Sequence, residues 1–225
     1  LRRWMLAAKP GAVLEGVRFG GRRGGAMRAE ATIRDLHFDS VGNTPGLDDF
    51  GARLLGDANG YTLRFDPSTP MRFLWPTGFG APHVVRLDGE AALWRDEAAG
   101  WRVATPALRI DGVGYGADVR GGLWFQGDGT RPLIDVAADI HDARVPVAKR
   151  FWPKHVMSPQ VVKWLDTALI DGVVAGGRAV VSGDLDHWPF KPHDGQPAQG
   201  VFDARATLRG AVIHFQPDWP QATRM

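Results

Sequence analysis

Two His-Asp dipeptides are the residues in this chain whose types could do catalytic chemistry. His141-Asp142 and His193-Asp194 each place an imidazole beside a carboxylate, a pair that can bind a metal ion or transfer a proton. The first closes an alternating segment with no second ligand at metal spacing, and the second lies in the turn-like stretch KPHDGQP. These surroundings favour surface turn residues, so we predict no catalytic residue, no metal site, no cofactor and no enzyme.

Two glycine-rich stretches have the composition of ligand-binding motifs. RFGGRRGG, residues 18–25, is similar to arginine-glycine segments that bind RNA, but a single copy between two strands is more simply a hairpin loop. GVGYG, residues 112–116, lacks the following helix that a dinucleotide site needs. The 27 basic and 25 acidic residues give a formal charge of only +2. We therefore do not expect nucleic acid to be a partner.

Composition limits the class of protein. With 225 residues, 44% of them hydrophobic, the chain can bury one large β domain or two small ones. The absence of cysteine excludes disulfides and thiolate metal sites and fits an oxidising compartment. No apolar run approaches the ~20 residues of a membrane span. The opening LRRWMLAAKPG has neither an initiator Met nor a signal-peptide core, so we expect a fragment of a longer protein, with any membrane anchor outside these residues.

Most of the chain alternates between apolar and polar residues with the period of a strand. In MRAEATIRDLHF, residues 27–38, the alternation slips by one residue, which predicts a β-bulge near Arg34 or Asp35. FDARATLRGAVIHF, residues 202–215, shares the pattern A-x-A-T-aliphatic-R and slips after Gly210. The shared slip predicts an internal repeat joining Ala29–Arg34 to Ala204–Arg209.

Hairpins fill the region between these two segments. Strands recur about every 10 to 15 residues with Gly-Asp punctuation, which is typical of an antiparallel all-β fold. Trp94 and Trp101 flank one turn and are predicted to face each other across two strands. Alternation leaves two architectures open, because the apolar face could be covered by a second sheet or could form an open trough for a ligand.

The stretch SPQVVKWLDTALIDG is the one segment with the pattern of a well-formed helix. Ser158 can cap it, Pro159 suits its first position and Gly172 suits its end. The pattern predicts an amphipathic helix over residues 158–171. Two roles stay open for it: a plain crossover helix that plugs a β core, or a helix that narrows a trough with Trp164 at its rim. Its predicted packing face consists of Val161, Val162, Leu165 and Leu169.

The region from Asp142 to Pro220 carries motifs that identify a family. They are Met157-Ser158-Pro159, Trp164-Leu165, Ala168, Gly172, Gly183-Asp184, Pro189-Phe190, Gly200-Val201-Phe202 and Pro217–Pro220. Their order and spacing closely resemble the middle region of the YhdP branch of the AsmA-like proteins. One departure is Trp188, where the family pattern leads us to expect Phe before Pro.

The resemblance implies a fold and a function beyond what periodicity gives. It implies a mainly β protein with a curved antiparallel sheet forming an open groove, with residues 1–80 ending one groove unit and residues 81–225 forming the next. It implies a periplasmic segment of a protein anchored in the bacterial inner membrane that shields phospholipid acyl chains between the two membranes. Expected partners are those acyl chains, neighbouring groove repeats of the same chain and envelope proteins at either membrane. A β-rich envelope scaffold and, more distantly, an envelope glycan hydrolase are the alternatives.

Within that interpretation, inward-facing aliphatic and aromatic side chains should line the groove. The predicted lipid-binding residues are Ile33, Phe38, Leu63, Phe65, Leu93, Val103, Leu108, Ile110, Val119, Leu123, Val136, Ile140, Leu208 and Ile213.

Overall fold

The computed structural model of the protein describes residues 2–22, 25–96, 100–141, 143–155, 157–192, 195, 197–216 and 218–223. These residues are mainly in strands, as the alternation predicts. The strands are β1 (Gly11–Gly21), β2 (Met27–Phe38), β3 (Gly46–Asp57), β4 (Gly60–Phe65), β5 (Met71–Leu74), β6 (His83–Arg95), β7 (Trp101–Gly112), β8 (Tyr115–Phe125), β9 (Leu133–Ile140), β10 (Ala143–Arg144), β11 (Leu169–Asp184) and β12 (Gly200–Ile213). The helices are α1 (Arg2–Ala8), α2 (Val145–Ala148) and α3 (Pro159–Ala168), with 3₁₀ turns at Lys149–Phe151 and Leu185–His187.

All of these strands belong to one antiparallel sheet. The order is β1-β2-β3-β4-β6-β7-β8-β9-β11, with β12 on the far side of β11. β5 occupies the same position as β4, and β10 pairs with the first half of β11. At about 4.8 Å per strand, the ten positions extend roughly 43 Å across the sheet. The strands on either side of residue 80, β5 and β6, are hydrogen-bonded to each other, so the sheet is continuous there. The division into units 1–80 and 81–225 stays a prediction.

The predicted bulges are confirmed. The register between β2 and β3 shifts between Ile33 and Leu36, and Asp35 has a φ of 53°. The register between β11 and β12 also shifts where Gly210 has a φ of 57°. The two segments that share A-x-A-T-aliphatic-R therefore also share a left-handed residue directly after the arginine.

Further bulges near the middle of neighbouring strands bend the sheet. The register between β6 and β7 shifts after Gly89, and the register between β7 and β8 shifts between Thr105 and Leu108. Gly121 of β8 pairs with Thr105 at this register shift and has a φ of 125°. A Cβ at this position would meet the Asp135 carbonyl at 2.0 Å. Because bulges bend and twist a strand, each long strand runs from one rim of the sheet over a bend to the other rim.

The two rims are defined by the chain connections. The first rim carries the β2–β3, β5–β6, β7–β8 and β9–β10 connections, and the second carries β3–β4, β6–β7, β8–β9 and β11–β12. α1 lies at the first rim, where the Trp4 and Phe38 rings meet at 5.6 Å and Ala8 is buried. None of the helices in the described ranges is long and apolar enough to cross a membrane.

The fully buried core is small for a chain of this size. Its described apolar members are mostly Ala and Val, and Phe190 is the largest of them. The accessible surface is 14676 Å², whereas a compact 24.5 kDa protein exposes about 10,000 Å². The excess means that much of the sheet is not covered by a second layer, and the closed sandwich left open by the alternation is not the architecture.

The predicted helix begins where expected and ends earlier. The Ser158 side chain accepts a hydrogen bond from the Val161 amide, and Pro159 is the first helical residue. The helix ends at Ala168, however, and the predicted extension to residue 171 is wrong. Leu169 is already extended, because it opens β11 and pairs with Ile213 of β12. Pairing with a distant strand outweighs the local helical pattern.

Two packing expectations are also corrected. Val161 is 47% exposed, so it does not belong to the packed face of α3. Trp164 is also 47% exposed and its Nε1 donates to the Phe215 carbonyl at 3.2 Å, and its place at the rim of the trough stays a prediction. Trp94 pairs with Arg102, and Trp101 pairs with Arg95. The two tryptophans are therefore offset by one residue and point to opposite faces of the sheet.

Candidate functional site

Strand register shows that apolar side chains share one face of the sheet. In antiparallel pairs, residues directly opposite each other lie on the same face. One row across five strands consists of Tyr61, Leu93, Val103, Leu123 and Ile134. Parallel rows join Leu108 to Val119, and Ile110 through Ala117 to Ile140. We call this surface the apolar face.

The opposite face is charged and held by ion pairs between neighbouring strands. Arg34 contacts Glu15 at 2.6 Å, and Arg120 contacts Asp139 at 3.2 Å. Others are Arg53–Glu30, Arg64–Glu90, Arg72–Asp48, Arg144–Asp171 and Arg109–Asp118. Such exposed pairs each contribute at most about 1 kcal/mol. They mark this face as the outer, hydrated face of the sheet.

The fourteen predicted groove residues share one degree of burial. All fourteen are half-buried, neither fully buried nor fully exposed. Alternation and register put Ile33, Leu63, Phe65, Leu93, Val103, Leu108, Ile110, Val119, Leu123, Val136, Ile140 and Leu208 on the apolar face. Phe38 joins that face at the first rim through Leu47, Phe73 and His83. Ile213 lies beyond the Gly210 bulge, paired with Leu169.

The apolar face is open on the side of the sheet nearest β1. Leu14 pairs with Ile33, and Phe19 pairs with Ala29, so both belong to this face. Phe19 is 73% exposed and Leu14 is also exposed. β1 is an edge strand of the described sheet. We call the region from β1 to β4 the open section.

The first rim of β6 to β8 carries an aromatic cluster instead. The His83 ring stacks on Phe151 at 4.5 Å, and Tyr115 contacts the same Phe151 ring at 4.6 Å. Phe79 packs against both His83 and Phe151 at 5.7 Å. His83 is only 2% exposed. This cluster covers part of the apolar face.

Polar atoms inside this cluster lack partners. Neither ring nitrogen of His83 nor the Tyr115 hydroxyl has a hydrogen-bond partner among the described residues. Burial lowers the pKa of His83, and the positive charge of Arg150 lowers it further. Burial likewise raises the pKa of the Tyr115 hydroxyl. In both side chains burial therefore favours the neutral form.

Phe151 belongs to a segment that runs over the apolar face between β10 and α3. We call residues 145–155 the strap. The strap is attached to the first rim, because Arg150 donates to the Pro82 carbonyl at 3.2 Å and the Lys154 amide donates to the Gly78 carbonyl at 3.0 Å. It is attached to α3, because Trp152 Nε1 donates to Asp166 Oδ1 at 3.0 Å.

The end of the strap contacts both rims. The His155 ring lies 4.8 Å from Trp75, which follows β5 at the first rim. It also stacks at 6.3 Å and 23° on Trp188, which follows β11 beyond the second rim. Trp188 packs in turn on Phe202 of the apolar face at 5.2 Å. The sheet is therefore curved with its apolar face inside, and the strap bridges the resulting trough. Burial lowers the pKa of His155.

Sequence reasoning missed the strap and the residue beneath it. His83, Phe151 and His155 were not singled out, although RFWPKH places three aromatic side chains within six residues. An aromatic density of that kind between two elements is the signal that could have found the strap. Its position over the sheet depends on contacts with residues 75–83, which are about 70 positions away in the chain.

Of the two His-Asp dipeptides, only His141 lies in the described part of the chain. His141 Nε2 lies 2.7 Å from Asp118 Oδ2 on the charged face. Asp142, His193 and Asp194 lie outside the described residues, as do Arg23 and Gly24 of RFGGRRGG. The described residues contain no group of three or more His, Asp or Glu side chains that could hold a metal ion. GVGYG forms the tight β7–β8 turn, with Gly114 at a φ of 79°.

Fold and site together define a curved antiparallel β-trough protein with an apolar interior and an ion-paired exterior. The chain belongs to the YhdP protein family, which it matches over residues 1–225. It is 27% identical over 201 residues to the protein of Escherichia coli strain K12 named intermembrane phospholipid transporter YhdP. That alignment covers 88% of this chain and 15% of the relative, so the chain spans a small part of the relative's length. No solved structure matches this chain.

Proposed function

We propose that this chain forms one section of a path that shields phospholipid acyl chains during transfer between the two membranes of a bacterial envelope. The observation that carries the proposal is the uncovered apolar face, which leaves the whole chain with an accessible surface of 14676 Å². The name of the Escherichia coli relative supports phospholipid as the cargo. The fourteen predicted residues would contact the acyl chains.

The physical task suits this surface. Each acyl CH₂ exposed to water costs about 0.8 kcal/mol, so a lipid tail crosses water only with a large barrier. A continuous apolar floor lowers that barrier along its whole length. Leu93, Val103 and Leu123 illustrate such a floor, since they lie opposite one another on three consecutive strands. A floor of this kind needs neither a nucleophile nor a metal.

Both edges of the described sheet support the expected neighbouring repeats. β1 exposes Val13, Leu14, Val17 and Phe19, and β12 exposes Val201 and Phe202. Exposed apolar edge strands invite pairing with further strands. In a longer chain, preceding and following groove units would extend the trough at these edges. The proposed location is the periplasm, and envelope proteins at either membrane are proposed partners of the whole protein.

Lipid extraction with a matched pair of variants tests the proposal. Val136 lies on the apolar face, and the adjacent Ala137 lies on the charged face, opposite Arg120. Val136→Glu should lower bound phospholipid about tenfold, because a hydrated carboxylate at this position removes about two acyl CH₂ groups from contact with the apolar face. Ala137→Glu should retain lipid. Mass spectrometry of an organic extract of the purified protein measures both.

Two outcomes would contradict the proposal. Wild-type protein could carry no more phospholipid than an unrelated β-protein, which would favour a β-rich scaffold in the envelope instead. The two variants could also lose lipid equally, which would place the lipid away from the apolar face. Photo-crosslinkers at Ile110 and at the neighbouring Arg109 provide a second readout, since only Ile110 should crosslink to lipid.

A further inference from the structure

The trough is open in the section from β1 to β4. The strap, residues 145–155, bridges it farther along the sheet. The strap has several attachments on one side. Arg150 and Lys154 bond to carbonyls of the first rim, Lys149 Nζ donates to the Asp166 carbonyl at 2.6 Å, and Phe151 packs between His83 and Tyr115. These contacts fix the strap along residues 149–154.

The strap contacts the side of the second rim through one aromatic pair, which is a weaker attachment. His155 meets Trp188 through ring stacking at 6.3 Å. Aromatic pairs contribute less than the combined hydrogen bonds and ring contacts of the first rim. Opening of the trough would therefore begin at this contact and spread to the adjacent Lys154–Gly78 hydrogen bond, with the strap turning about its attachments at residues 149–151.

We propose that the strap is a latch, and that phospholipid passes this section only when the contact between His155 and Trp188 opens. The inference rests on the proposed lipid path. His155 and Trp188 are the two sides of the latch, and Trp188 is seated on Phe202 of the apolar face. An acyl chain moving along that face from β9 toward β12 would meet the Trp188 ring. Loops that open and close over a bound molecule commonly control its passage in this way.

A reversible crosslink tests the latch, and the absence of cysteine from the chain makes the labelling specific. The variant His155→Cys/Trp188→Cys is joined by a short bifunctional methanethiosulfonate reagent. Loading is measured from vesicles of phosphatidylethanolamine and phosphatidylglycerol that contain a dye-labelled phosphatidylethanolamine. The linked protein should load at least about tenfold more slowly, and dithiothreitol should restore the rate.

The control joins two positions that do not move relative to each other. Asp118 and Asp139 lie directly opposite on β8 and β9, on the charged face. Asp118→Cys/Asp139→Cys, linked by the same reagent, should load as fast as its reduced form. Equal loading of the linked and reduced His155/Trp188 variant would overturn the latch while leaving the lipid path intact.

Hydrogen exchange tests the latch without lipid. The Lys154 amide is bonded to the Gly78 carbonyl, so its exchange reports opening of the strap. Trp188→Ala should speed this exchange about fivefold, because an aromatic contact is lost. Trp164→Ala is the matched control, since Trp164 lies exposed on α3. Unchanged exchange in both Trp188→Ala and His155→Ala would also overturn the latch, even if the wild-type protein bound no lipid.

Discussion

The open section and the strapped section use the same strand pattern and differ in what covers it. In β1 to β4 the apolar face meets solvent, and Phe19 is 73% exposed. In β6 to β9 the strap lies over the first rim of that face, and His83 is 2% exposed. Alternation within a strand therefore reports which face is apolar, and a segment distant in the chain decides whether that face is covered.

The largest expected difference between the sections comes from one substitution made in each. Phe151→Ala should lower the free energy of unfolding by about 2–3 kcal/mol, because the ring packs between His83 and Tyr115. Phe19→Ala should change it by no more than about 0.5 kcal/mol, because the ring is already exposed. Urea unfolding followed by circular dichroism measures both values. Similar losses at the two sites would show that the open section is also covered.

Acidification should affect the strapped section in particular. Burial lowers the pKa of His83 and of His155 below the ordinary value of 6.5. The folded protein therefore binds fewer protons than the unfolded chain, so this stability is complete above pH 6.5 and is lost as the pH falls through the lowered pKa values. Urea midpoints between pH 7.5 and 5 measure the loss.

Removing the imidazole separates this effect from general acid sensitivity. His83→Phe should reduce the pH dependence, and it should raise stability at pH 7 by about 1 kcal/mol, because a buried polar group without a partner is replaced by an apolar ring. His37→Phe, at an exposed position on β2, should leave the pH dependence unchanged. An unaltered pH dependence in His83→Phe would assign the acid sensitivity to other groups.

The smallest expected effects lie on the charged face, where the two sections are alike. Arg34→Ala removes the contact with Glu15 in the open section, and Arg120→Ala removes the contact with Asp139 in the strapped section. Each should lower the free energy of unfolding by about 0.5 kcal/mol or less, and the loss should shrink in 1 M salt. A much larger loss at one pair would mean that the charged face is not uniformly exposed.

The sequence predicted the elements whose cause is local. The slips of alternation at Asp35 and after Gly210 gave bulges at those positions, and Ser158 with Pro159 gave the start of α3. Each follows from the residue types alone, through the period of a strand or the chemistry of a helix cap.

Predictions that required long-range pairing were less successful. The end of α3 was placed at residue 171, because the sequence does not show that Leu169 pairs with Ile213. The sequence predicted that Trp94 and Trp101 share one face. That prediction was wrong because the register of the hairpin differs by one residue from the register that it assumed. For a period of two, an offset of one residue reverses the face.

The amino-acid sequence by itself determined the antiparallel strands, the separation of an apolar from a charged face and the family motifs from Met157 onward. Tertiary structure decided that the apolar face is concave and that the strap bridges it. The physical reason is that alternation is a property of neighbouring residues, whereas the contacts of His155 with Trp75 and Trp188 join residues 80 and 33 positions away. Those contacts exist only once the bent strands have brought the two rims together.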